Sequence, residues 1–256
     1  MSLDHPAWAR RRDGAPPLIV AHRGASALEP ENSIAAFHRA DADGADGVEL
    51  DVLLCATGEA VVFHDDDLFR LGNRSDRIAA MSLAAIRGVR LTSGATIPTL
   101  DEVLVACGSR LLVNVELKAS GVDVAELRAL VEAVARTIEV VGGGVAERVL
   151  VSSFHPRAIG LWRRRAPHIR TGLLFEKESS LPLRRAWALR WLRPFSAHPE
   201  AVMCTARDVR QWHRRGYAVN VWTVDDAVAL QRLSAMGVDG IITNDPGRSR
   251  RLLVPS

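Results

Sequence analysis

Short apolar segments alternate with longer amphipathic segments along most of the chain. The apolar segments have the length and the β-branched content of buried strands, and the amphipathic segments have the apolar spacing of helices that bury one face. The predicted strands cover residues 18–21, 47–52, 60–63, 111–117, 149–152, 169–174, 195–198, 217–224 and 240–243. The predicted helices cover residues 33–42, 82–86, 122–140, 155–165, 183–192 and 227–236, and a further helix is predicted within residues 202–214.

Strands that alternate with helices of this length indicate parallel βαβ units. Eight main strand–helix repeats are present when residues 195–198 are counted as a strand. Eight repeats favour a closed barrel over an open doubly wound sheet. The first strand is not followed by the Gly-x-Gly-x-x-Gly fingerprint, which weakens a dinucleotide-binding interpretation. The expected fold is therefore an α/β fold, a (β/α)8 TIM-type barrel.

One segment, residues 65–98, interrupts this alternation. It contains several glycines and a proline, and only the short helix at 82–86 is predicted within it. We therefore expect a small insertion after the second strand. Residues 1–16 are expected to form a flexible leader, and residues 17–256 a single barrel domain.

Composition narrows the class of protein. The chain has 256 residues, of which 48% are hydrophobic and 25% charged, as in a globular domain with a large core. The net charge of +3 does not indicate a nucleic-acid partner. No segment has the length of a membrane span and the N-terminus lacks the features of a signal peptide, so we expect a cytoplasmic protein without a transmembrane segment. The three cysteines follow no zinc-binding pattern, so buried thiols are expected rather than disulfides.

Polar and aromatic residues lie at the ends of many predicted strands. In parallel α/β folds, the carboxyl ends of the strands meet at one rim, where functional groups collect. The residues expected at this rim are His22, Arg23, Glu49, Asp51, His64, Glu116, Lys118, Phe154 and Trp222.

Three of these residues suggest a metal site. Glu49 and Asp51 are separated by one residue on a strand, so both side chains point to the same face. An isolated pair of this kind is ordinarily a solvated rim pair. Glu116 adds a third carboxylate on the next strand, and three hard oxygen ligands suit Mg²⁺ or Ca²⁺ better than zinc. We therefore expect Glu49, Asp51 and Glu116 to bind a divalent cation.

His22 and His64 are the candidates for acid–base catalysis, because histidine both accepts and donates protons near neutral pH. Each histidine alone would ordinarily be a hydrogen-bonded structural residue. Together, at adjacent strand ends beside the carboxylates, they indicate catalysis. Arg23 and Lys118 are candidates for binding a phosphate group, although a lone arginine is more often part of a surface ion pair.

Four further residues have both a structural and a functional interpretation. Glu31 and Asn32 precede the first helix. In the structural interpretation, Asn32 caps the helix and the charge of Glu31 stabilises its positive N-terminal end; in the functional one, they contact substrate or metal. Phe154 and Trp222 would form an apolar wall against a substrate, or would pack in the core.

The ordered set of motifs resembles the glycerophosphodiester phosphodiesterase family. The motifs are His22-Arg23-Gly24, Pro30-Glu31-Asn32-Ser33, Glu49-Leu50-Asp51, His64-Asp65, Glu116-Leu117-Lys118, Ser153-Phe154, Val221-Trp222-Thr223-Val224 and the segment 237–246. The match spans about residues 18–247, and the order of the motifs is more specific than any one of them. Ser33 replaces the threonine that the family usually has, and residues 66–70 depart from its pattern within the insertion.

The resemblance implies a barrel with a small insertion and metal-dependent hydrolysis of a glycerophosphodiester, a small molecule, to an alcohol and sn-glycerol 3-phosphate. The implied mechanism has two stages, in which a neighbouring glycerol hydroxyl forms a cyclic phosphate that water then opens. The implied site residues are His22 and His64 for catalysis, Glu49, Asp51 and Glu116 for Mg²⁺ or Ca²⁺, Arg23 and Lys118 for phosphate, and Glu31 near the metal.

Two alternatives stay open at this point. Segment 181–192 is rich in Trp, Leu and Arg, which would suit an interfacial helix and a lysophospholipase-D-like activity on lysophospholipids. The same segment would also suit a barrel helix with an Arg-rich outer face. The second alternative is a non-catalytic phosphodiester-binding module on the same fold. No feature of the sequence indicates an oligomeric state.

Overall fold

The computed structural model describes residues 8–11, 14–119, 121, 123–181 and 186–254. Within these residues, eight parallel strands form a closed barrel, because the first strand, Leu18–His22, pairs with Gly47–Leu54 on one side and with Gly240–Thr243 on the other. This closed barrel confirms the predicted TIM-type fold. The strands, all but β3 in the barrel, are β1 (Leu18–His22), β2 (Gly47–Leu54), β3 (Ala60–Val62), β4 (Leu112–Leu117), β5 (Val149–Ser153), β6 (Arg170–Phe175), β7 (Ser196–Pro199), β8 (Ala218–Val221) and β9 (Gly240–Thr243).

Helices connect the strands, mostly where the amphipathic pattern predicts them. None of them, within the described residues, has both the length and the apolar character needed to cross a membrane. The helices are α1 (Ile34–Ala42), α2 (Phe69–Gly72), α3 (Leu83–Arg87), α4 (Leu100–Ala106), α5 (Val124–Val141), α6 (Val145–Arg148), α7 (Pro156–Arg165), α8 (Ala188–Leu192), α9 (Ala206–Arg214), α10 (Ala227–Ala235) and α11 (Pro246–Leu253).

Side-chain caps set several helix boundaries. Asp123 accepts from the backbone N–H of Glu126, and Glu126 accepts in return from the backbone N–H of Asp123, both at 2.9 Å, which fixes the start of α5. The Thr205 hydroxyl accepts from the backbone N–H of Asp208, which sets the start of α9 within the segment 202–214, where a helix is predicted. For the helix predicted at 183–192, residues 182–185 lie outside the described residues, and α8 occupies the remainder.

The second barrel strand extends beyond the rim and the chain then reverses. β2 continues past Asp51 to Leu54, and β3 pairs with it antiparallel, with Val52 opposite Val62. The reversal lets the backbone N–H of Phe63 donate to the carbonyl of Asp51 at 3.0 Å. His64 therefore reaches the rim on an antiparallel return, and not at the carboxyl end of a parallel strand as the sequence pattern suggests.

The segment between β3 and α4 carries its own small apolar cluster. It contains α2, a 3₁₀ turn (Ile78–Ala80) and α3, as expected for an insertion after the second strand. The cluster is packed against β2 and β3, and its members include Leu53, Phe63, Leu68, Ile78 and Ile86. Because these side chains are buried together, they fix α2 beside the rim.

Apolar side chains fill the barrel below the rim. This cluster consists of Trp8, Leu18, Val20, Leu112, Leu150 and Ile242. Trp8 is 2% exposed, and its indole Nε1 donates to the carbonyl of Arg148 at 2.7 Å. Burial of an indole is favourable when its N–H has an acceptor, and Trp8 is therefore packed against the barrel. The division of the chain into a flexible leader and a single domain stays a prediction.

Candidate active site

Three carboxylates lie together inside the rim of the barrel. Glu49 and Asp51 stand on β2, and Glu116 stands beside Asp51 in direct register on β4. One carboxylate oxygen of each residue lies within 4.8 Å of the others. All three residues are buried, and Asp51 is only 2% exposed. The residues predicted as metal ligands thus meet in one place, and we call them the triad.

Close burial of like charges is unfavourable unless cations offset it. Burial, together with repulsion by Asp51 and Glu116, raises the pKa of Glu49 well above its ordinary value. Burial also raises the pKa of Glu116 to about 7, although the Lys118 ammonium opposes this shift. Lys118 Nζ lies 3.1 Å from Glu116 Oε1 and 3.5 Å from Asp51 Oδ1. Three hard oxygen donors held under this repulsion fit a divalent cation.

A left-handed turn at the end of β1 brings Arg23 against the triad. The backbone φ angle is 56° at Arg23 and 79° at Gly24. A β carbon at Gly24 would lie 2.6 Å from the carbonyl carbon of Ala36, so only glycine fits there. The Arg23 backbone N–H donates to Glu49 Oε2 at 3.2 Å, and its Nε lies 3.2 Å from Asp51 Oδ2. Such strain in a non-glycine residue is typical of functional sites.

Asn32 contributes a side chain to the triad from the segment before α1. Its Nδ2 donates to Asp51 Oδ2 at 2.9 Å, and its φ angle of 56° is one that asparagine tolerates. The cap of α1 is Ser33, whose hydroxyl accepts from the backbone N–H of Ala36 at 3.1 Å. The interpretation of Asn32 as the helix cap is therefore wrong, and its amide orients a carboxylate of the triad instead.

His22 ends β1 beside the triad, with Nε2 4.0 Å from Glu49 Oε2. Its Nδ1 lies 2.7 Å from Asn244 Oδ1, while Asn244 Nδ2 donates to Asp225 Oδ2 at 2.5 Å. Because the Asn244 oxygen can only accept, His22 carries its proton on Nδ1, and Nε2 of the neutral ring is free to accept one. Burial and the charge of Arg23 lower the pKa of His22, which keeps the ring neutral at pH 7.

A chain of hydrogen bonds joins His64 to Arg23. His64 Nδ1 lies 2.6 Å from Asp65 Oδ1, and Asp65 Oδ2 accepts from Arg70 Nε at 2.7 Å. Arg70 also donates to both carboxylate oxygens of Glu31, at 2.9 and 2.7 Å. Glu31 Oε1 accepts in turn from Arg23 Nη1 at 2.9 Å. His64 is therefore tied to the triad through side chains of the insertion and of the segment before α1.

Cavities open beside the triad and beside His22. A cavity of about 330 Å³ is lined by Glu116, Lys118 and Phe154, among others. The ring of Phe154 meets the ring of Trp222 edge to face, with centroids 5.3 Å apart. Both aromatic residues are partly exposed, so they are available to a ligand at the rim as well as to each other. A second cavity, of about 500 Å³, is lined by His22 and the residues around the end of β1.

The structure brings the predicted site residues to one end of the barrel, and it adds partners that the sequence interpretation missed. Asn244 directly follows β9, so the same rule of strand carboxyl ends could have found it. Arg70 and Asn32 could not have been found in this way, because their contacts depend on how the insertion and the α1 entry segment pack.

The charges at the triad suit a phosphate diester bound together with a divalent cation. When all three carboxylates are ionised they carry three negative charges, and Arg23 and Lys118 carry two positive charges beside them. A divalent cation would change the sum to one positive charge, which a singly charged phosphodiester would neutralise.

Comparison with known proteins defines the class to which this barrel and its site belong. Residues 22–248 match the model of the glycerophosphoryl diester phosphodiesterase family. A glycerophosphodiester phosphodiesterase of Caldanaerobacter subterraneus subsp. tengcongensis is 35% identical over 244 residues, which cover 90% of this chain and 94% of that protein. A glycerophosphodiester phosphodiesterase of Bacillus altitudinis is 32% identical over 245 residues, covering 91% and 97%.

Solved structures show the same relationship. A phosphodiesterase from Oleispira antarctica, in complex with the product sn-glycerol-3-phosphate, aligns with a TM-score of 0.82 at 26% identity, covering 93% of this chain and 96% of that one. A glycerophosphodiester phosphodiesterase from Thermotoga maritima aligns with a TM-score of 0.77 at 27% identity, covering 93% and 99%. The chain belongs to the glycerophosphoryl diester phosphodiesterase family, which confirms the family and the enzyme class predicted from the sequence.

Proposed function

We propose that this protein hydrolyses glycerophosphodiesters to an alcohol and sn-glycerol 3-phosphate, and that the reaction depends on Mg²⁺ or Ca²⁺. The observation that carries the proposal is the buried triad, whose carboxylate oxygens lie within 4.8 Å of one another beside His22. The product bound to the Oleispira antarctica relative supports the same product here. Glu49, Asp51 and Glu116 would hold the cation, which would stabilise charge on the phosphoryl oxygens.

The cations of the chain itself would bind the substrate phosphate. Arg23 is held in place for this role, because its backbone N–H donates to Glu49 and two nitrogens of its guanidinium lie against Asp51 and Glu31. Lys118 lies at the border of the cavity that Phe154 lines. A phosphate placed there would meet two positive charges, and Phe154 and Trp222 would cover an apolar face of the substrate.

His22 and His64 would move the protons in two stages. One ring accepts the proton of the glycerol hydroxyl next to the phosphate ester, and that oxygen attacks phosphorus. The other ring donates a proton to the departing alcohol. Water then opens the cyclic phosphate with the two roles exchanged. Both rings have Nδ1 engaged by an acceptor, Asn244 for His22 and Asp65 for His64, which supports Nε2 as the reacting nitrogen in each.

A panel of glycerophosphodiesters, assayed for release of sn-glycerol 3-phosphate, tests this function. We expect turnover with Mg²⁺ or Ca²⁺ present, and loss of turnover with a chelator or in His22→Ala. The exposed His38 provides the matched control, and His38→Ala should keep wild-type turnover. Activity that survives the chelator would contradict the metal assignment. A stable, metal-loaded protein that turns over no diester in the panel would instead be a phosphodiester-binding module.

A lysophospholipase-D-like activity is a second candidate. Trp191 on α8 is 84% exposed and Leu181 is 44% exposed, which are apolar surfaces that an acyl chain or a lipid surface could cover. Choline release should be compared between glycerophosphocholine and its acylated form. Faster release from glycerophosphocholine supports the main proposal, and a strong preference for the acylated form supports the second candidate. The cytoplasmic location stays a prediction, which cell fractionation would test.

A further inference from the structure

Arg70 binds two carboxylates that come from different segments of the chain. It lies on α2, in the insertion, and its planar guanidinium uses three nitrogens at once. Nη1 and Nη2 donate to the two oxygens of Glu31 at 2.9 and 2.7 Å, and Nε donates to Asp65 Oδ2 at 2.7 Å. Such a fork fixes the relative position of both carboxylates, which a lysine ammonium cannot do.

Each of these carboxylates has a second partner in the site. Asp65 uses its other oxygen to contact His64 Nδ1 at 2.6 Å. Glu31 uses Oε1 to accept from Arg23 at 2.9 Å. Arg70 therefore stands one residue away from a proposed acid–base group and one residue away from a proposed phosphate-binding group, without contact to either in the described structure.

The ionisation of both carboxylates agrees with this role. Although burial opposes ionisation, the hydrogen bonds from Arg70 and His64 hold the pKa of Asp65 below its ordinary value. Burial likewise opposes ionisation of Glu31, and the hydrogen bond and charge of Arg70, together with Arg23, hold its pKa below the ordinary value. A charged Asp65 accepts the Nδ1 proton of His64 and so favours the tautomer with Nε2 unprotonated.

A purely structural interpretation is that Arg70 only fastens the insertion to the barrel. Its side chain is 45% exposed, and exposed ion pairs add little to stability. If Arg70 only fastened the insertion, Asp65 and Glu31 would not also need to contact the site residues His64 and Arg23. The insertion is also held by its own apolar cluster, including Leu68 and Ile78.

We infer that Arg70 is a positioning residue, which holds Asp65 and Glu31 so that His64 keeps one tautomer and Arg23 keeps its place at the triad. This inference rests on the proposed function for the roles of His64 and Arg23. It makes the insertion a part of the active site, because a residue of α2 completes the hydrogen-bond chain between the two groups.

The kinetic test compares Arg70→Ala with Arg74→Ala. Arg74 is a matched control, since it lies in the same insertion and is paired at 2.8 Å with Asp76, away from the hydrogen-bond chain. We expect Arg70→Ala to lower kcat about 50-fold, because small displacements of reacting groups have effects of this size, with a smaller change in KM. The kcat of Arg70→Lys should lie between those of wild type and Arg70→Ala, since lysine keeps the positive charge but lacks the planar guanidinium that binds both carboxylates. Added guanidinium should recover part of the activity of Arg70→Ala, and Arg74→Ala should match wild type.

A double substitution tests whether Arg70 acts through Asp65. Asp65→Asn removes the charge that Arg70 holds beside His64. If the two residues act as one unit, adding Arg70→Ala to Asp65→Asn should lower kcat by a smaller factor than Arg70→Ala does in the wild-type protein. Fully multiplicative losses in kcat would overturn the path through Asp65. Equal losses for Arg70→Ala and Arg74→Ala would overturn the whole inference.

The tautomer of His64 provides a test that needs no turnover. In wild type, ¹⁵N chemical shifts of the His64 ring should show the proton on Nδ1 in the neutral form. In Arg70→Ala the ring should become a mixture of tautomers, and in Arg74→Ala it should stay as in wild type. If wild type turns over no glycerophosphodiester, the proposed function fails, while these shifts still decide whether Arg70 positions His64. An unchanged tautomer in a folded Arg70→Ala would overturn the inference.

Discussion

Asp51 on β2 and Glu116 on β4 stand directly opposite each other on neighbouring parallel strands, with both carboxylates buried. Like charges in this position destabilise a sheet. Glu49, two residues before Asp51, adds a third charge to the same face. The triad therefore favours a bound cation and disfavours the metal-free fold, so metal binding and stability should be linked in this protein.

Glu116→Gln should stabilise the metal-free protein and remove its response to metal. The pKa of Glu116 is about 7 in the folded protein against an ordinary value of 4.5, so the folded state binds more protons between these pH values. The destabilising effect of the carboxylate therefore grows as the pH rises from about 4.5 to about 7. At pH 8, we expect the variant to gain about 3 kcal/mol in free energy of unfolding, measured by urea denaturation with chelator.

At pH 4 the gain from Glu116→Gln should vanish, because the wild-type carboxyl is then protonated in both states. Addition of Mg²⁺ or Ca²⁺ should raise the Tm of wild type and not that of the variant. Glu147→Gln is the control, since Glu147 is exposed, and it should leave both the stability and the response to metal as in wild type. A variant that keeps the wild-type response to metal would remove Glu116 from the ligand set.

The fold was accessible from the sequence because parallel barrel strands are buried on both faces and form continuous apolar segments. Val149–Ser153 and Gly240–Thr243 lie within a residue of their predicted bounds. The apolar pattern predicts the return strand Ala60–Val62 but not its antiparallel pairing, since apolar content does not encode strand direction. His64 therefore lies at the rim because the chain returns antiparallel to β2, and not because a parallel strand ends there.

The candidate site was accessible only in part. Glu49 and Asp51 could be placed together because a strand repeats every second residue, which is local information. The partner of His22 is Asn244, at the opposite end of the chain, and only barrel closure between β1 and β9 brings them to 2.7 Å. Arg70 reaches Glu31 and Asp65 through the packing of the insertion, which no periodicity in the sequence describes.

Asn244→Ala should lower kcat about 10- to 100-fold with little change in KM, because it removes the acceptor that orients His22. Steady-state kinetics on glycerophosphocholine would measure this effect. Asn244→Asp keeps an acceptor at the same place and should retain more activity than the alanine variant. If both variants had wild-type kcat, His22 would not depend on Asn244 for its orientation.

The buried histidine of β7 should make the protein sensitive to acid. His198 is fully buried, and this burial lowers its pKa to about 3. Its Nε2 accepts from Asn220 Nδ2 at 3.1 Å, which requires the neutral ring. Since the unfolded chain binds a proton below an ordinary pKa of 6.5, stability is present above that pH and falls as the pH drops toward 3.

Urea denaturation at pH 7 and pH 5 would measure the acid sensitivity due to His198. Between pH 7 and pH 5, we expect the free energy of unfolding of wild type to fall by about 2 kcal/mol more than that of His198→Gln. The exposed His168 is the control, and His168→Gln should lose stability with pH as wild type does. Equal pH dependence in wild type and His198→Gln would show that His198 becomes protonated without unfolding.

Gly24→Ala should disturb both stability and catalysis, because Gly24 combines a left-handed backbone with a close contact. Gly44 separates the two causes: both glycines have a φ angle of 79°, but a β carbon at Gly44 would meet nothing within 4 Å. Gly44→Ala should therefore cost only about 1 kcal/mol in free energy of unfolding, for the backbone conformation. Gly24→Ala should cost at least about 2 kcal/mol more, since its β carbon would lie 2.6 Å from the Ala36 carbonyl carbon. It should also lower kcat by displacing Arg23 from the triad. Equal losses for the two variants would mean that α1 moves away freely and that the turn does not fix Arg23.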